Sequence, residues 1–357
     1  RSSAVLVACS TGLLPPFHSY AGWATVSTHP WVMFLGVWAG LAWIDVVRCR
    51  RWKSAVIPFL GFLVALLTYP PNAMFCWVAL GVRLVSVKFS IRKSIRDVCA
   101  MGVLSIVGGL TALLVGRASM AILGVEPHDR FRTLDSISEL GDKLVWLLTA
   151  PTAVAGRLFF ISSPSPLVAL LTSGPVLLTI GIGLLLQWKT SAVQRFLMLG
   201  VLVAVAALTM SIHLFSPTNV IEYRYMAGPI VLIWIYFVRS IRSIYLYISL
   251  RNQSSMRYRF LGAFALTVVI AVGTVKAYTN IYQTFITPSR VKESYLIDKL
   301  RDYDPKIHHQ VVVIEPSSGW PTRDNLGIYS VRTDLAHPWV IEPNIHLLLS
   351  ELHDTDL

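Results

Sequence analysis

Charge is what this 357-residue sequence has least of: 14% of its residues are Asp, Glu, Lys or Arg, while 54% are hydrophobic. A soluble globular domain carries about a quarter charged residues. That shortage, with a mean hydropathy of +0.60, excludes an ordinary soluble enzyme and points to a polytopic helical membrane protein. Short alternating segments are also missing, which argues against a transmembrane barrel. Cysteine is scarce, with Cys9, Cys49, Cys76 and Cys99 alone in the chain. No two of them share a metal-type spacing, so neither a metal site nor a disulfide framework is expected. There is no glycine-rich phosphate loop and no HExxH pattern. Acids are absent from the middles of the apolar runs, where proton-coupled carriers keep them; Asp45 and Asp97 sit at basic ends.

What the chain does have is apolar segments, at about 3–14, 31–47, 54–69, 73–87, 98–124, 166–186, 196–215, 227–247 and 260–277. The expected fold class is therefore an all-α polytopic membrane protein of about nine membrane segments. The third and fourth form a hairpin broken by "YPPNA" (69–73), where two prolines remove donors and end a helix. Each arm is marginal in length, so a partly re-entrant hairpin is the alternative. The net charge of +12 resides in short loops at 48–53, 83–96, 189–195 and 239–259, which hold sixteen basic residues. The loops at 15–30, 117–165 and 216–226 hold six basic and six acidic residues. Positive charge of this kind orients a membrane chain and needs no nucleic-acid partner; it predicts a cytoplasmic face for the first set. The parity then closes with the N-terminus inside and the C-terminal tail outside. Arg1 in place of Met, with an apolar segment directly behind it, implies a chain that opens inside its first helix.

Two domains are expected. Residues 1–277 form the multi-pass domain, with an outer loop at 125–165, and residues 278–357 form a small α/β extracytoplasmic cap. In that tail "HQVVVIEP" (309–316) reads as a strand, and 289–304 and 343–353 read as helices. All nine histidines, His29 and His213 among them, fall on or near the outer side. Either short basic loops leave them no other place, or the polar chemistry of the protein lies on that face.

The outer loop carries "EPHDRFRTLDSISELGDKLVWLL" (126–148). Its second half spaces Ile137, Leu140, Leu144, Leu147 and Leu148 as a helix lying in the membrane interface. The second polar stretch is "EYRYMAGP" (222–229), between two apolar runs. Beside a cavity, Arg224 is a fixed cation with five donors, suited to a phosphate or diphosphate. Tyr223 and Tyr225 add hydroxyls and flat faces. Gly228 and Pro229 then read as the start of the next helix, with proline in its first turn. The same residues also suit a plain interfacial anchor.

These stretches carry a resemblance. "EYRYMAGP" is similar to the Arg-Tyr…Pro signature at the outer end of a late helix in GT-C membrane glycosyltransferases, polytopic enzymes that use polyprenyl-phosphate sugars. "LLTYPPNAMFCWVAL" (66–80) resembles the Tyr-Gln-Pro hairpin of the bacterial and phage O-antigen glucosyltransferase-like group, with Pro70 where Gln is usual. The tail at 311–352 also resembles the outer tail of bacterial relatives. The resemblance implies transfer of a hexose from a polyprenyl-phosphate sugar to a cell-surface glycan or lipid acceptor on the outer leaflet of the cell (inner) membrane. The lipid-linked donor would be a substrate, and a divalent metal ion is an optional cofactor. Substrate contacts are expected from Arg224, Tyr223, Tyr225, Tyr69, Arg130 and Arg132. The family keeps an acid in its first outer loop, whereas residues 15–30 contain none. The catalytic acid is therefore expected upstream of Arg1, with Glu126, Asp129 and Glu222 as the candidates within this chain. A non-enzymatic transporter or flippase, or an inactive scaffold for lipid-linked glycans, is the alternative.

Overall fold

The computed structural model describes residues 2–22, 28–86, 90–124, 137–159, 166–187, 191–215, 223–252 and 255–282, with 294 and 297–298. Among them there is helix and no strand. The expected α/β cap lies outside the described residues, except for the helical positions 294, 297 and 298.

In chain order the helices are α1 (Ser2–Thr11), α2 (Pro15–Gly22), α3 (His29–Cys49), α4 (Val56–Thr68), α5 (Pro70–Ala73) and α6 (Phe75–Ser86). They continue as α7 (Ile91–Leu123), α8 (Ile137–Ala155), α9 (Pro166–Gln187), α10 (Ala192–Leu208), α11 (Tyr223–Asn252) and α12 (Ser255–Ile281). Three of them are long and apolar enough to cross a membrane: α3, α7 and the stretch Tyr225–Ile248 of α11. At 1.5 Å per residue each exceeds the ~30 Å of a hydrocarbon core. Helices α4, α9, α10 and α12 hold shorter apolar stretches.

α11 is the centre of the bundle. It packs against α9, α2, α6, α8, α10 and α12, and its Ile230, Leu232, Trp234 and Tyr236 are almost wholly buried. Transmembrane helices have little hydrophobic drive toward one another, so close fit and interhelical hydrogen bonds do the joining. Ser240 of α11 donates to the carbonyl of Ile180 on α9 (3.1 Å), and Trp77 of α6 donates its Nε1–H to Ser105 on α7 (3.1 Å). A second layer joins α3 to α4, α6 and α7, with Phe62, Ile44, Leu80, Met101 and Leu104 as its core. α7 is the least covered of the three spans. Ile106, Leu110 and Leu114 on it are exposed, the composition a lipid-facing surface needs.

Several expectations drawn from the sequence change here. The loop expected at 15–30 is partly helical, since Pro15 and Pro16 open α2, where their fixed φ fits a first turn. The basic stretches at 83–96 and 239–259 are mostly the ends of α6, α7, α11 and α12. The apolar run expected to reach residue 215 stops earlier. α10 ends at Leu208 and a 3-10 turn follows at Ser211–Phe215. Thr209 there turns its hydroxyl onto the Ala206 carbonyl (2.6 Å), one of the side-chain bonds that compete with a helix ladder. At the other end of that connection, α11 starts at Tyr223, so Pro229 is inside the helix. Proline there forfeits the N–H that would reach the Tyr225 carbonyl and sets its ring against that carbonyl. Burial of Met226, Ala227 and Ile230 outweighs it.

Candidate functional site

The hairpin break builds the first wall. Tyr69 is extended (φ −156°, ψ 94°) between α4 and α5, as a residue before proline is pushed to be. Its carbonyl accepts from the Asn72 N–H (3.1 Å), and its own N–H donates to Ala65 (3.0 Å). Asn72 is buried beside it.

α3 reaches this break because Gly36 lacks a side chain. A Cβ there would lie 2.5 Å from the Ala73 carbonyl oxygen, closer than any side chain tolerates. Two turns earlier on α3, His29 is buried and its ring packs on Tyr69, with centroids 4.0 Å apart.

α11 supplies the second wall. Gly228 plays the same part against α10, where a Cβ would meet Thr209 at 2.8 Å. This close crossing brings the first turns of α11 to the 3-10 turn. Tyr225 stacks parallel to Tyr69 (6.4 Å, 11°) and meets the His213 ring edge-on (5.0 Å). Such offset and edge-to-face geometries are the favoured aromatic pairings. Ser211 in the same turn bonds to the Met74 sulfur (3.3 Å), tying the turn back to the hairpin.

The third wall is α8. Trp146 packs against His213 (6.5 Å), and the Lys143 ammonium lies 5.3 Å from the centre of the Trp146 ring, within cation–π reach. Lys143 is buried. Burial lowers its pKa, and the charge of Glu139 opposes that shift. The amphipathic pattern of this helix turns out differently from the expected stripe: Leu144 and Leu148 face outward, while Lys143 and Leu147 are covered.

His213 is held neutral. Its pKa is lowered to about 4, first by burial and then by the Lys143 charge. It is 7% exposed, and its Nε2 has no hydrogen-bond partner among the described residues. A buried polar atom left so costs about 1–3 kcal/mol, so such an atom calls for an explanation.

Of the residues expected at the site, the structure brings Tyr69 and Tyr225 together from distant parts of the sequence. Tyr223 and Arg224 form the start of α11. Glu126, Asp129, Arg130, Arg132 and Glu222 lie outside the described residues. His29, His213, Lys143 and Trp146 join the site without having been singled out for it. The one signal for two of them was the bias of histidine toward the outer side. Among the described residues no three His, Cys, Asp or Glu side chains converge as metal ligands, and all four cysteines are free thiols.

Comparison of the chain with protein-family models, with curated proteins and with solved structures returned no match.

Proposed function

We propose that the chain is a multi-pass membrane glycosyltransferase of the GT-C type. It moves a hexose from a polyprenyl-phosphate carrier to a cell-surface glycan or lipid on the outer leaflet, with the C-terminal cap on that side. One observation carries this reading: Tyr69 and Tyr225, from two of the stretches that carry the resemblance, stack against each other in one site.

The local electrostatics suit the chemistry. Arg224 stands in the first turn of a 30-residue helix, whose N-terminal end favours an anion. The bond from the sugar C1 to the carrier phosphate breaks while the acceptor oxygen bonds to C1. The acceptor proton passes to a carboxylate base, and cationic groups hold the departing phosphate. Arg224 is the proposed phosphate contact, and Glu126, Asp129 and Glu222 are the acids of this chain available as base.

Transfer of radiolabelled hexose from polyprenyl phosphate in membranes tests the proposal. Arg224→Ala should lower the rate by about 30- to 1,000-fold, a loss of about 2–4 kcal/mol of transition-state stabilisation. Arg224→Lys keeps the charge without the planar fork and should fall between. Both variants should insert and fold as the parent does. Parental rates in Arg224→Ala would end the phosphate role.

A further inference from the structure

Among the described residues the buried Nε2 of His213, in the aromatic site, has no hydrogen-bond partner. We infer that His213 reads a hydroxyl of the transferred sugar: its Nε2 hydrogen-bonds one hydroxyl of a hexose bounded by Tyr225 and Trp146. The inference rests on the glycosyltransferase reading for the identity of the carrier, and on the geometry alone for the hydroxyl.

Three observations support it. First, the atom is placed and not loose. The backbone N–H of His213 donates to Met210 (2.9 Å), and the ring is flanked edge-on by Tyr225 at 5.0 Å and Trp146 at 6.5 Å. Second, its chemistry is that of a neutral imidazole, in which each nitrogen is either a donor or an acceptor. A hydroxyl both donates and accepts, so it satisfies Nε2 in either tautomer. A cation satisfies only the acceptor form, and the Lys143 charge beside the ring disfavours one. Third, the neighbours of the ring are the aromatic faces of Tyr225 and Trp146, with Lys143 as a nearby cation, the mix of apolar faces and few polar groups from which ligand sites are built. Tyr236 also carries a buried hydroxyl without a partner. It lies eleven residues along α11 from Tyr225, about 16 Å away along the axis, inside the span and not at this cluster.

The test uses purified full-length chain in lipid nanodiscs and three probes: polyprenyl-phosphate glucose, polyprenyl phosphate without sugar, and methyl glucoside. Binding is followed by ligand-detected NMR. His213→Phe should weaken polyprenyl-phosphate glucose by roughly tenfold and leave polyprenyl phosphate unchanged. His213→Asn keeps a donor and an acceptor and should recover part of the loss. In transfer assays the defect should appear in KM more than in kcat. Equal weakening of both lipids would make His213 a phosphate contact and overturn the inference. Unchanged binding of the glucose-bearing lipid in His213→Phe would overturn it too, while leaving the transfer reaction intact. If the parent chain binds methyl glucoside through His213 but neither lipid, the subsite stands and the lipid-donor reading falls. If no sugar-bearing probe binds, the subsite is wrong.

Discussion

At its Cys49 end, α3 carries Arg48, which grips both carboxylate oxygens of Asp97 on α7. At its His29 end, the same helix leans an imidazole on Tyr69. The first end also holds Arg83 of α6 against Asp45 (3.4 Å) and Arg96 near Asp97 (3.8 Å). Both of its acids, Asp45 and Asp97, are matched within the chain. The second end is aromatic, with Lys143 set over Trp146, and among the described residues the buried Nε2 of His213 has no partner. A cluster that satisfies itself holds helices together. A cluster that buries a polar atom short of a partner leaves that atom to be explained.

The contrast can be broken by acid. The ordinary pKa of histidine is 6.5, and His213 and His18 are both lowered to about 4, chiefly by burial. His18 donates Nε2–H to the Leu13 carbonyl (3.0 Å), which opposes its shift only in part. Below pH 6.5 the unfolded chain takes up protons that the folded chain refuses until about pH 4. The contribution of these groups is thus fully present above pH 6.5 and is lost as pH falls toward 4, by about 3 kcal/mol for each. Unfolding of detergent-purified protein across that window should show the loss, and His213→Gln should remove about half of it. A midpoint that stays flat from pH 6.5 to 4 would mean that these histidines are not buried.

At the charged end, Asp97→Ala should cost about 2–4 kcal/mol, because Arg48 keeps its charge and loses its fork partner. Thermal unfolding would register this while transfer per folded molecule stays near the parent value. A transfer defect larger than the stability defect would mean that the two ends are coupled.

Gly36→Ala attacks the aromatic end through packing. The new methyl must push α3 off the Ala73 carbonyl, at about 1–3 kcal/mol. It should also part His29 from Tyr69, which near-ultraviolet circular dichroism would record. An unchanged aromatic spectrum would show that the contact does not depend on this crossing. The smallest effect belongs to Asp45→Ala. Asp45 is mostly exposed, and a solvated pair of this kind contributes about 0–1 kcal/mol that salt screens away. A loss as large as that of Asp97→Ala would overturn the distinction between the two charged pairs.

The linear sequence determined more of the frame than of the site. Scarce charge and long apolar runs suffice for a helical membrane-associated chain, because in lipid the backbone must satisfy itself within each segment. The break at "YPPNA" was readable for the same local reason, since proline acts on its own neighbours. Where α11 begins was not readable, because burial of Met226, Ala227 and Ile230 overrides what a glycine–proline pair signals locally. Nor was the inward turn of Lys143 and Trp146. α8 shows leucine and lysine on adjacent faces, and only the packing of α8 against α10, α11 and the 3-10 turn selects which face is covered. The meeting of Tyr69, Tyr225, His29 and His213 was decided by tertiary structure alone. It depends on two helix crossings, at Gly36 and Gly228, and a close approach between distant segments leaves no periodicity in the chain that makes it.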